Sequence, residues 1–420
     1  MKFVVEGGKT LQGEIEVRGA KNSVMKAMAC SLLFDEPVVL ENVPLIEDVF
    51  RMAELLENLG AKVEKTGERS FRLDPSAAEG TDLRKEIAKR LRASIVIAGP
   101  LLARNKKVSS PHPGGCVIGK RPIDLFLDGW RAMGANVTDG EAGFEVEAEK
   151  LKGTDFTFRV VSVTGTETLM MTAVLADGKT VLRNAAMEPE IPALAKFLND
   201  SGAEISGAGT PTVEIVGTGG RLLRAKSPFR IIPDRIEAGS FLILGAALGR
   251  NVKIKNCNPE HLASVIATLI SAGVPIGIGR DWISVSRPPK ISALDVKTKE
   301  YPGFPTDLQA PITALMTQAE GESKIVETIF ENRFGYIEDL KRMGANIILC
   351  DPQRILVKGP TELRGREIES PDLRAGLAFV IAALLAKGGS VVSNVYQIDR
   401  GYEKIDERLR LLGAEIKRVD

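Results

Sequence analysis

A short pattern that recurs six times constrains the fold of this 420-residue chain more than any other feature. In its first copy, Leu59-Gly60-Ala61-Lys62-Val63, a helix-forming segment ends at a glycine that precedes a small residue and then an apolar one. Successive glycines are 74, 68, 71, 71 and 69 residues apart. A nearly constant period indicates repeated supersecondary units of one kind. The six glycines are Gly60, Gly134, Gly202, Gly273, Gly344 and Gly413.

Each glycine is predicted to separate an amphipathic helix from a strand. In the first repeat, Val49, Met52 and Leu56 recur at helical spacing and share one face. Glycine then supplies the left-handed residue with which helices commonly end. A short apolar strand is predicted before each of these helices. The six strands are Val38-Val39-Leu40, Lys107-Val108, Thr180-Val181-Leu182, Val252-Lys253-Ile254, Ile325-Val326 and Val391-Val392.

A second helix in each repeat is apolar almost all round, which predicts that it is buried. Before it we expect a pair of strands joined by a turn, as in Phe3-Val4-Val5 with Glu14-Ile15-Glu16-Val17. A similar pair is predicted for Ile283-Ser284-Val285 with Leu294-Asp295-Val296. The buried helices are predicted to begin near Ser23, Arg92, Thr166, Asp234, Thr306 and Asp372.

The repeat is therefore strand-helix-strand-helix-strand-strand, and the chain belongs to the α/β class. A chain of this length exceeds what one hydrophobic core usually serves. We expect three repeats to pack their buried helices together with the sheets outside, so that six repeats form two similar domains. The alternative is a linear solenoid, although stacked repeats of that kind are typically smaller, about 20–45 residues.

Charge and composition narrow the class of protein. The formal net charge is +1, so binding to nucleic acid or to a membrane surface through bulk charge is not expected. Two histidines, His112 and His261, argue against a histidine-built metal site or a Ser-His-Asp triad. Four cysteines without paired spacing indicate free thiols in a reducing compartment.

No segment of the sequence has the pattern of a targeting or membrane-spanning element. The N-terminus lacks the long apolar core of a signal peptide. The longest uncharged stretch, 262–279, is interrupted by serines, glycines and Pro275, unlike a membrane span. We therefore expect a cytoplasmic protein without a membrane partner, and the sequence predicts no particular oligomeric state.

Charged residues collect near the starts of the buried helices and in the loops before the amphipathic ones. Helix N-termini bind anions because their free N–H groups carry partial positive charge. Arginine binds phosphate and carboxylate groups through paired hydrogen bonds. The cations that could form anion sites are Lys21, Arg92, Arg121, Arg333, Arg374 and Arg400.

Each of these residues also has a simpler interpretation. A lone arginine near a helix end is more often a cap or a member of a surface ion pair. Asp234, Asp307 and Asp372 are of the type that commonly caps a helix N-terminus. The functional interpretation depends on their positions at equivalent ends of repeats that pack together.

The stretch from Pro111 to Arg121 is predicted to be a loop because it holds three glycines and two prolines. It places Cys116 beside backbone N–H groups and two cations, which would stabilise a thiolate. The alternative is an incidental loop thiol. The other cysteines look less reactive: Cys30 and Cys350 lie among apolar residues, and Cys257 follows a short strand.

Seven motifs contain most of these candidate residues. They are Gly19-Ala20-Lys21-Asn22, Pro113 to Asp124, Pro233-Asp234-Arg235-Ile236-Glu237, Phe304 to Gln309, Phe330-Glu331-Asn332-Arg333-Phe334, Asp372-Leu373-Arg374-Ala375 and Ile398-Asp399-Arg400-Gly401-Tyr402. These motifs resemble those of the UDP-N-acetylglucosamine 1-carboxyvinyltransferase family, the bacterial enolpyruvyl transferases that start peptidoglycan synthesis, and the resemblance covers the whole chain. It implies an inside-out α/β barrel in each domain. Residues 21–229 would form the first domain, and residues 1–20 with 230–420 the second, joined by two crossings.

Carried over residue by residue, the resemblance implies phosphoenolpyruvate and UDP-N-acetylglucosamine as substrates. Cys116 would be the general acid and could add to phosphoenolpyruvate, while Asp307 would take the proton of the sugar hydroxyl. Lys21, Arg121 and Arg400 would hold phosphoenolpyruvate, with Arg92 nearby. The residues implied to meet the UDP-sugar are Asn22, Arg92, Arg121, Pro122, Ile123, Asp124, Leu125, Asp307 and Ile329, with Val160, Val161, Ser162 and Val163 beside the nucleotide. Arg333, Asp372 and Arg374 complete the predicted substrate-binding set.

The sequence departs from the family pattern at three positions. Gln397 stands where a histidine is common, Val160 where a lysine is common, and Lys26 where an apolar residue is common. These differences concern nucleotide contact and product release rather than the reaction class. No metal cluster or nucleotide-cofactor glycine motif is present in the sequence, so no cofactor is expected.

Two other functions are compatible with parts of the sequence. The related transferase that acts on shikimate 3-phosphate gives no reason for a Pro-Gly-Gly-Cys loop. A six-repeat binding scaffold without catalysis would release no phosphate with either acceptor. The resemblance also implies that fosfomycin alkylates Cys116, which neither alternative predicts.

Overall fold

A computed structural model of the chain describes residues 1–88, 91–114 and 122–420. These residues form two compact units, which we call lobe 1 (residues 19–114 and 122–232) and lobe 2 (residues 1–18 and 233–420). The predicted domains, 21–229 and 1–20 with 230–420, have boundaries two or three residues away from these bounds. Each lobe has its own cluster of buried apolar side chains.

Lobe 1 is built around three helices that are buried on almost every side. All residues of one of them from Ile95 to Ala103 are buried. The described α-helices of lobe 1 are α1 (Lys21–Cys30), α2 (Glu47–Asn58), α3 (Lys85–Ala88), α4 (Ile95–Asn105), α5 (Asp124–Ala132), α6 (Val163–Val174) and α7 (Glu190–Asp200). The buried ones are α1, α4 and α6.

Lobe 2 repeats this plan with its own three buried helices. The described α-helices of lobe 2 are α8 (Arg235–Leu248), α9 (Ala263–Ser271), α10 (Gln309–Met316), α11 (Ile337–Arg342), α12 (Ala375–Leu385), α13 (Tyr396–Asp399) and α14 (Ile405–Leu411). Here α8, α10 and α12 are buried, and each packs against the other two. Because the first of the three touches the third, the repeats do not form the linear solenoid that was the alternative.

The strands are short and lie outside the buried helices. In chain order they are β1 (Lys2–Glu6), β2 (Leu11–Glu16), β3 (Val38–Glu41), β4 (Lys62–Lys65), β5 (Phe71–Asp74), β6 (Lys107–Ser110), β7 (Asn136–Gly140), β8 (Gly143–Glu147), β9 (Asp155–Thr157), β10 (Lys179–Arg183), β11 (Glu204–Ser206), β12 (Thr212–Val216), β13 (Phe229–Arg230), β14 (Gly249–Lys255), β15 (Ile276–Ile278), β16 (Trp282–Val285), β17 (Val296–Lys297), β18 (Gly321–Val326), β19 (Asn346–Asp351), β20 (Arg354–Gly359), β21 (Glu367–Glu369), β22 (Gly389–Ser393) and β23 (Glu415–Val419). Short 3-10 turns span Ser31–Leu33, Arg92–Ser94, Pro259–Leu262 and Thr306–Leu308.

The described strands form six sheets with one common arrangement, which confirms the sixfold repeat. In five of them an edge strand runs parallel to the second strand, and the remaining pairs are antiparallel. The sixth sheet has three strands and a parallel bridge, Asp82 to Ser109, in the place of the fourth. The sheets are β13-β3-β5-β4, β6-β8-β7 and β11-β12-β10-β9 in lobe 1, and β15-β16-β14-β2, β17-β18-β20-β19 and β21-β22-β1-β23 in lobe 2.

Neighbouring strands do form antiparallel pairs in several repeats, as in β4 with β5 and β7 with β8, but the two strand pairs predicted by name do not form. Strand β1 pairs with β22 and β23, whereas β2 pairs with β14. Likewise β16 pairs with β14 and β15, and β17 pairs with β18. The reason is the buried helix that follows β17, because it provides the crossover that parallel pairing with β18 requires. The two strands of each predicted pair therefore belong to different sheets.

The glycines of the repeat end their helices in the predicted way. All six have positive φ, between 85° at Gly273 and 109° at Gly344. The starts of the buried helices agree to within three residues with the prediction. Helix α6 begins at Val163 rather than near Thr166, because the Ser162 side chain accepts a hydrogen bond from the N–H of Gly165 and caps the helix earlier. Among the described residues, no helix is both long and apolar enough to cross a membrane.

Gly19 provides a test of this packing. A Cβ atom at position 19 would lie 1.9 Å from the carbonyl oxygen of Asn42 and 3.1 Å from Ile231 Cγ2. We expect Gly19→Ala to lower the free energy of unfolding by about 1–3 kcal/mol, because the backbone must move to admit the methyl group. Gly335 is the control, since a Cβ there meets no atom within 4 Å. Gly335→Ala should change stability by less than about 0.5 kcal/mol, and equal denaturation midpoints for the two variants would contradict the account.

Candidate active site

Asp307 in lobe 2 lies between two buried guanidinium groups. It belongs to the 3-10 turn immediately before α10. Its Oδ1 accepts a hydrogen bond from Arg333 Nη2 at 2.8 Å, and its Oδ2 lies 3.3 Å from Arg374 Nε. The two arginine side chains are 4% exposed and that of Asp307 is 25% exposed. The carboxylate is therefore partly open to solvent while its counter-charges are buried.

The surroundings keep Asp307 ionised. Burial by itself raises the pKa of the Asp307 carboxyl, but the charges of Arg374 and Arg333 and the hydrogen bond from Arg333 outweigh that effect. The pKa of Asp307 therefore lies well below its usual range. An ionised carboxylate can accept a proton, and this is the state that a general base requires.

Arg374 has hydrogen-bonding capacity that the described residues do not use. Its guanidinium carbon lies 5.5 Å from the centre of the Tyr402 ring. The Tyr402 hydroxyl shares a hydrogen bond with Ser240 Oγ at 2.9 Å. Arg374 Nη1 is buried and donates no hydrogen bond to any residue in the described ranges. A buried donor without a partner is costly, so this atom favours the binding of an anion.

Two of the aspartates at helix starts act as caps, as their simpler interpretation predicts. Asp234 Oδ1 accepts hydrogen bonds from the N–H groups of Ile236 and Glu237, at 2.8 and 3.1 Å, at the start of α8. Asp372 Oδ1 accepts from the N–H groups of Arg374 and Ala375, at 2.7 and 3.0 Å, at the start of α12. The Asp372 cap fixes the backbone of Arg374 itself. Asp307 differs from both, since its carboxylate accepts a hydrogen bond from Arg333 and forms an ion pair with Arg374.

The other predicted residues of lobe 2 lie in loops beside these helices. Arg400 follows α13 and donates from Nη1 to Gln397 Oε1 at 3.1 Å. Gln397, which departs from the family pattern, is therefore in direct contact with a predicted phosphoenolpyruvate residue. Ile329 is partly buried in the loop after β18, and its N–H donates to Glu327 Oε1 at 2.8 Å.

In lobe 1, the predicted residues lie at the starts of α1 and α4. Lys21 is the first residue of α1, and its Nζ lies 2.8 Å from Asp48 Oδ2. Asn22 follows it and is partly buried. Arg92 lies in the 3-10 turn before α4 and donates from Nη1 to the carbonyl oxygen of Pro113 at 3.4 Å. Arg92 thus contacts the chain three residues before Cys116.

An ion pair connects two predicted substrate-binding segments of lobe 1, residues 122–125 and residues 160–163. Asp124 begins α5, and its carboxylate pairs with the guanidinium of Arg159, the residue that precedes Val160. Val160 is 61% exposed, so an apolar side chain faces solvent where the family commonly has a lysine. Pro122 is exposed, Ile123 and Leu125 are buried, and Val161, Ser162 and Val163 are partly buried.

Lys26, the third departure from the family pattern, forms a buried ion pair. Its Nζ lies 2.8 Å from Glu167 Oε2, with side chains 6% and 0% exposed. The pair joins α1 to α6. Burial raises the pKa of Glu167 to about 7, against the opposing effect of Lys26 and with a further contribution from Glu190 and Glu188. The carboxyl therefore titrates near neutral pH.

Comparison with known proteins identifies the family. A profile of the EPSP synthase (3-phosphoshikimate 1-carboxyvinyltransferase) family matches residues 5–409. The chain belongs to the EPSP synthase family. Within it, a relative from Koribacter versatilis named UDP-N-acetylglucosamine 1-carboxyvinyltransferase is 46% identical over 421 residues, which cover 100% of this chain and 96% of the relative. A relative from Caldanaerobacter subterraneus, named UDP-N-acetylglucosamine 1-carboxyvinyltransferase 1, is 46% identical with 99% of each chain covered.

These names confirm the resemblance found in the sequence and the prediction of a transferase. Solved structures of the EPSP synthase family confirm the fold. The enolpyruvyl transferase NikO from Streptomyces tendae matches with a TM-score of 0.89 at 24% identity, covering 100% of this chain and 98% of that one. EPSP synthase from Acinetobacter baumannii matches with a TM-score of 0.75 at 17% identity, covering 99% and 100%. The two-lobed α/β architecture with buried helices and outer sheets is therefore that of the family.

Two predicted residues of this family member, Cys116 and Arg121, lie outside the described residues. Cys30 is fully buried in α1, and burial raises the pKa of its thiol, as expected for a core residue. The expectation that Cys350 is shielded by apolar neighbours is wrong, because Cys350 is exposed on β19, an edge strand of its sheet. A thiol reagent can therefore reach Cys350, which any labelling of Cys116 must take into account.

Three residues at these sites were not predicted from the sequence. Arg159 was noted only as the neighbour of Val160, and Tyr402 only as part of a motif. Glu327 had no signal at all, since a single glutamate after an apolar strand is typical of surface positions. Contacts between separate segments of the chain decide all three, and a linear sequence does not reveal which segments meet.

The Glu167 carboxyl predicts a pH-dependent stability. Because its pKa is raised from 4.5 to about 7 in the folded state, the stability it contributes is present below pH 4.5 and is lost as the pH rises through 7. The loss is up to about 3 kcal/mol at 1.36 kcal/mol for each pH unit. Chemical denaturation of the protein and of Glu167→Gln between pH 5 and 8 should show stabilities that diverge with pH in this sense. Parallel curves would rule out this titration.

Proposed function

We propose that the protein transfers the enolpyruvyl group of phosphoenolpyruvate to the 3′-hydroxyl of UDP-N-acetylglucosamine and releases phosphate. This reaction is the first committed step of peptidoglycan synthesis, which we place in the cytoplasm. The names of full-length relatives at 46% identity support the substrates. The structural observation that supports the mechanism most is the position of the Asp307 carboxylate between Arg333 and Arg374.

Asp307 acts as the general base in this proposal. It removes the proton of the 3′-hydroxyl while that oxygen attacks C2 of phosphoenolpyruvate. Its low pKa keeps it ionised in the absence of substrate. An anionic substrate that binds Arg333 or Arg374 shares their positive charge, and this raises the pKa of Asp307 toward that of a better base.

Cys116 acts as the general acid. Its thiol delivers the proton to the methylene carbon C3 of phosphoenolpyruvate as the new C–O bond forms at C2. In the second half of the reaction, C3 returns a proton to the Cys116 thiolate as the C–O bond between C2 and phosphate breaks. Asp307 passes its proton to solvent, so both groups return to their starting states. The enolpyruvyl ether and inorganic phosphate are the products, so every atom of both substrates is accounted for.

Cationic side chains bind the substrate anions in this proposal. Lys21, Arg121 and Arg400 hold the phosphate and carboxylate of phosphoenolpyruvate, with Arg92 beside them. Arg374 adds a further donor for a substrate anion, because its buried Nη1 atom has no hydrogen-bond partner within the described residues. Fixed cations of this kind stabilise the charge that develops when phosphate leaves, without reorganising during the reaction.

The residues that the family resemblance implies contact the UDP-sugar in this proposal. The sugar meets Asn22, Asp307 and Ile329, and Arg333 and Asp372 complete the substrate-binding set. The segment 122–125 meets the UDP-sugar as well, and the segment 160–163 lies beside the nucleotide. The Asp124–Arg159 ion pair supports this last assignment, because it joins the two segments. Arg159 supplies a cation next to Val160, where the family commonly has a lysine.

Phosphate release with two acceptors tests the proposal. With phosphoenolpyruvate present, we expect phosphate to appear with UDP-N-acetylglucosamine and not with shikimate 3-phosphate. The reverse preference would assign the chain to the function for which the family profile is named. If no phosphate appears with either acceptor, the protein transfers the enolpyruvyl group to neither of them, and the proposal is contradicted.

A further inference from the structure

Glu327 is a fully buried carboxylate of lobe 2 for which the proposed mechanism has no role. It follows β18 directly and accepts four hydrogen bonds. Its Oε1 accepts from Thr298 Oγ1 at 3.0 Å and from the N–H groups of Ile329 and Phe330 at 2.8 and 3.2 Å. Its Oε2 accepts from Thr306 Oγ1 at 2.9 Å. Two carboxylate oxygens accept about four hydrogen bonds at most, so this group is saturated.

These bonds join the two pieces of chain that carry the proposed base and its counter-charge. Thr306 precedes Asp307 in the same 3-10 turn, and Phe330 begins the loop that leads to Arg333. At the far end of that loop, Arg333 Nη2 donates back to Asp307 Oδ1 at 2.8 Å. The turn is therefore hydrogen-bonded to the loop at both ends, through Thr306 to Glu327 at one end and through Asp307 to Arg333 at the other.

We propose that Glu327 is a positioning residue for enolpyruvyl transfer, because it fixes the turn that carries Asp307 against the loop that carries Ile329 and Arg333. The inference rests on the proposed function of Asp307 as the general base. Glu327 itself touches no reacting atom in this scheme. It acts through Thr306, whose hydroxyl proton it holds, and through the two loop amides.

The expected size of the effect follows from the geometry of proton transfer. A base must lie within hydrogen-bonding reach of the proton that it removes. A misplacement of about 1 Å can reduce the rate by about 10²-fold. Thr306 is one residue from Asp307, so rotation of its turn moves the carboxylate by distances of this order.

Thr306 and Thr298 provide a matched pair of variants. Both hydroxyls donate to the same carboxylate, but only Thr306 lies in the turn of Asp307. We expect Thr306→Val to lower kcat by about 10-fold to 10²-fold with little change in KM. Thr298→Val removes a bond of the same kind at a more buried position, and it also removes the acceptor of the Thr328 N–H at 3.0 Å. It should therefore reduce stability while kcat stays within about twofold of wild type. Thr306→Ser restores the hydroxyl and should restore kcat.

The pH profile gives a second readout that a purely structural role would not change. A looser contact between Arg333 and Asp307 raises the pKa of Asp307, because less positive charge then opposes its protonation. The acidic limb of the kcat profile should therefore move to higher pH in Thr306→Val and stay in place in Thr298→Val.

A double-mutant cycle separates positioning from a direct contact of Thr306 with substrate. If Thr306 acts through Glu327, then Thr306→Val should have no further effect on kcat in a Glu327→Ala background. Glu327→Gln should retain most of the activity, because its carbonyl oxygen can serve the loop amides while its NH₂ group donates to Thr306. Thermal denaturation of each variant shows whether it is folded. If Glu327→Ala does not fold, the comparison of Thr306→Val with Thr306→Ser and Thr298→Val still tests the inference.

The outcomes distinguish this inference from the proposed function. Wild-type protein that releases no phosphate with UDP-N-acetylglucosamine would contradict the proposed function itself. Active wild-type protein with equal kcat in Thr306→Val and Thr298→Val would overturn the positioning role alone. Failure of Thr306→Ser to recover activity, or additive effects in the cycle, would also overturn it.

Discussion

Asp307→Asn is expected to lower kcat by about 10²–10⁴-fold, the usual contribution of a general base. Asparagine keeps an oxygen that can accept from Arg333, but it cannot take the proton of the sugar hydroxyl. The substitution also leaves Arg333 and Arg374, each 4% exposed, without a balancing charge. We therefore expect a lower denaturation midpoint as well, since breaking a buried ion pair typically costs about 3–5 kcal/mol.

Asp339→Asn is the control for this variant. Asp339 is a lobe 2 aspartate that pairs with Arg342 on the surface, three residues along the same helix. Its substitution should leave kcat unchanged and alter stability by less than about 1 kcal/mol. Steady-state kinetics on folded Asp307→Asn that showed wild-type turnover would remove Asp307 from the mechanism.

Cys116→Ala is expected to abolish or greatly reduce turnover, by a factor of about 10²–10⁴ if only the acid role is lost. Alanine has no proton to deliver to the methylene carbon. Cys116→Asp should behave differently, because a carboxylic acid can still donate a proton. The ratio of kcat in the two variants, measured by phosphate release, reports on the acid role, and wild-type turnover in Cys116→Ala would exclude it.

Alkylation offers an independent measurement on the same residue. Fosfomycin is expected to label Cys116 and to stop turnover. Because Cys350 is exposed on its edge strand, the labelling should be repeated in Cys350→Ser, which removes the competing thiol. Labelling at Cys350 alone, with Cys116 unmodified and activity retained, would count against a reactive Cys116.

The sixfold repeat made much of the fold predictable, because the glycine in each copy ends a helix and is followed by a strand. The burial of α1, α4 and α6 was predictable because their sequences are apolar on almost every side. Strand partners did not follow from the sequence. The pairing of β2 with β14 joins residues more than 230 positions apart, as in Gly13 with Val252. Local apolar patterns are the same whichever strand is the neighbour, so they could not distinguish this sheet from a hairpin.

The sequence identified candidate residues of the site, but it did not show which of them contact one another. Asp234, Asp307 and Asp372 occupy similar places in the sequence, yet two of them cap helices and one pairs with arginines. What separates them is that Asp307 lies close to Arg333, from later in the same repeat, and to Arg374, from the next repeat. Glu327 could not have been found, because the four donors that surround it come from three separate segments of the chain.

The most direct test of the central claim is to follow the carbon atoms of phosphoenolpyruvate. A reaction with ¹³C-labelled phosphoenolpyruvate and UDP-N-acetylglucosamine, observed by NMR, should yield an enolpyruvyl ether at the 3′ oxygen of the sugar together with inorganic phosphate. The same signals should be absent with Asp307→Asn over the time of the experiment. Label that stays in phosphoenolpyruvate, or that appears in an ether of shikimate 3-phosphate when both acceptors are present, would contradict the account.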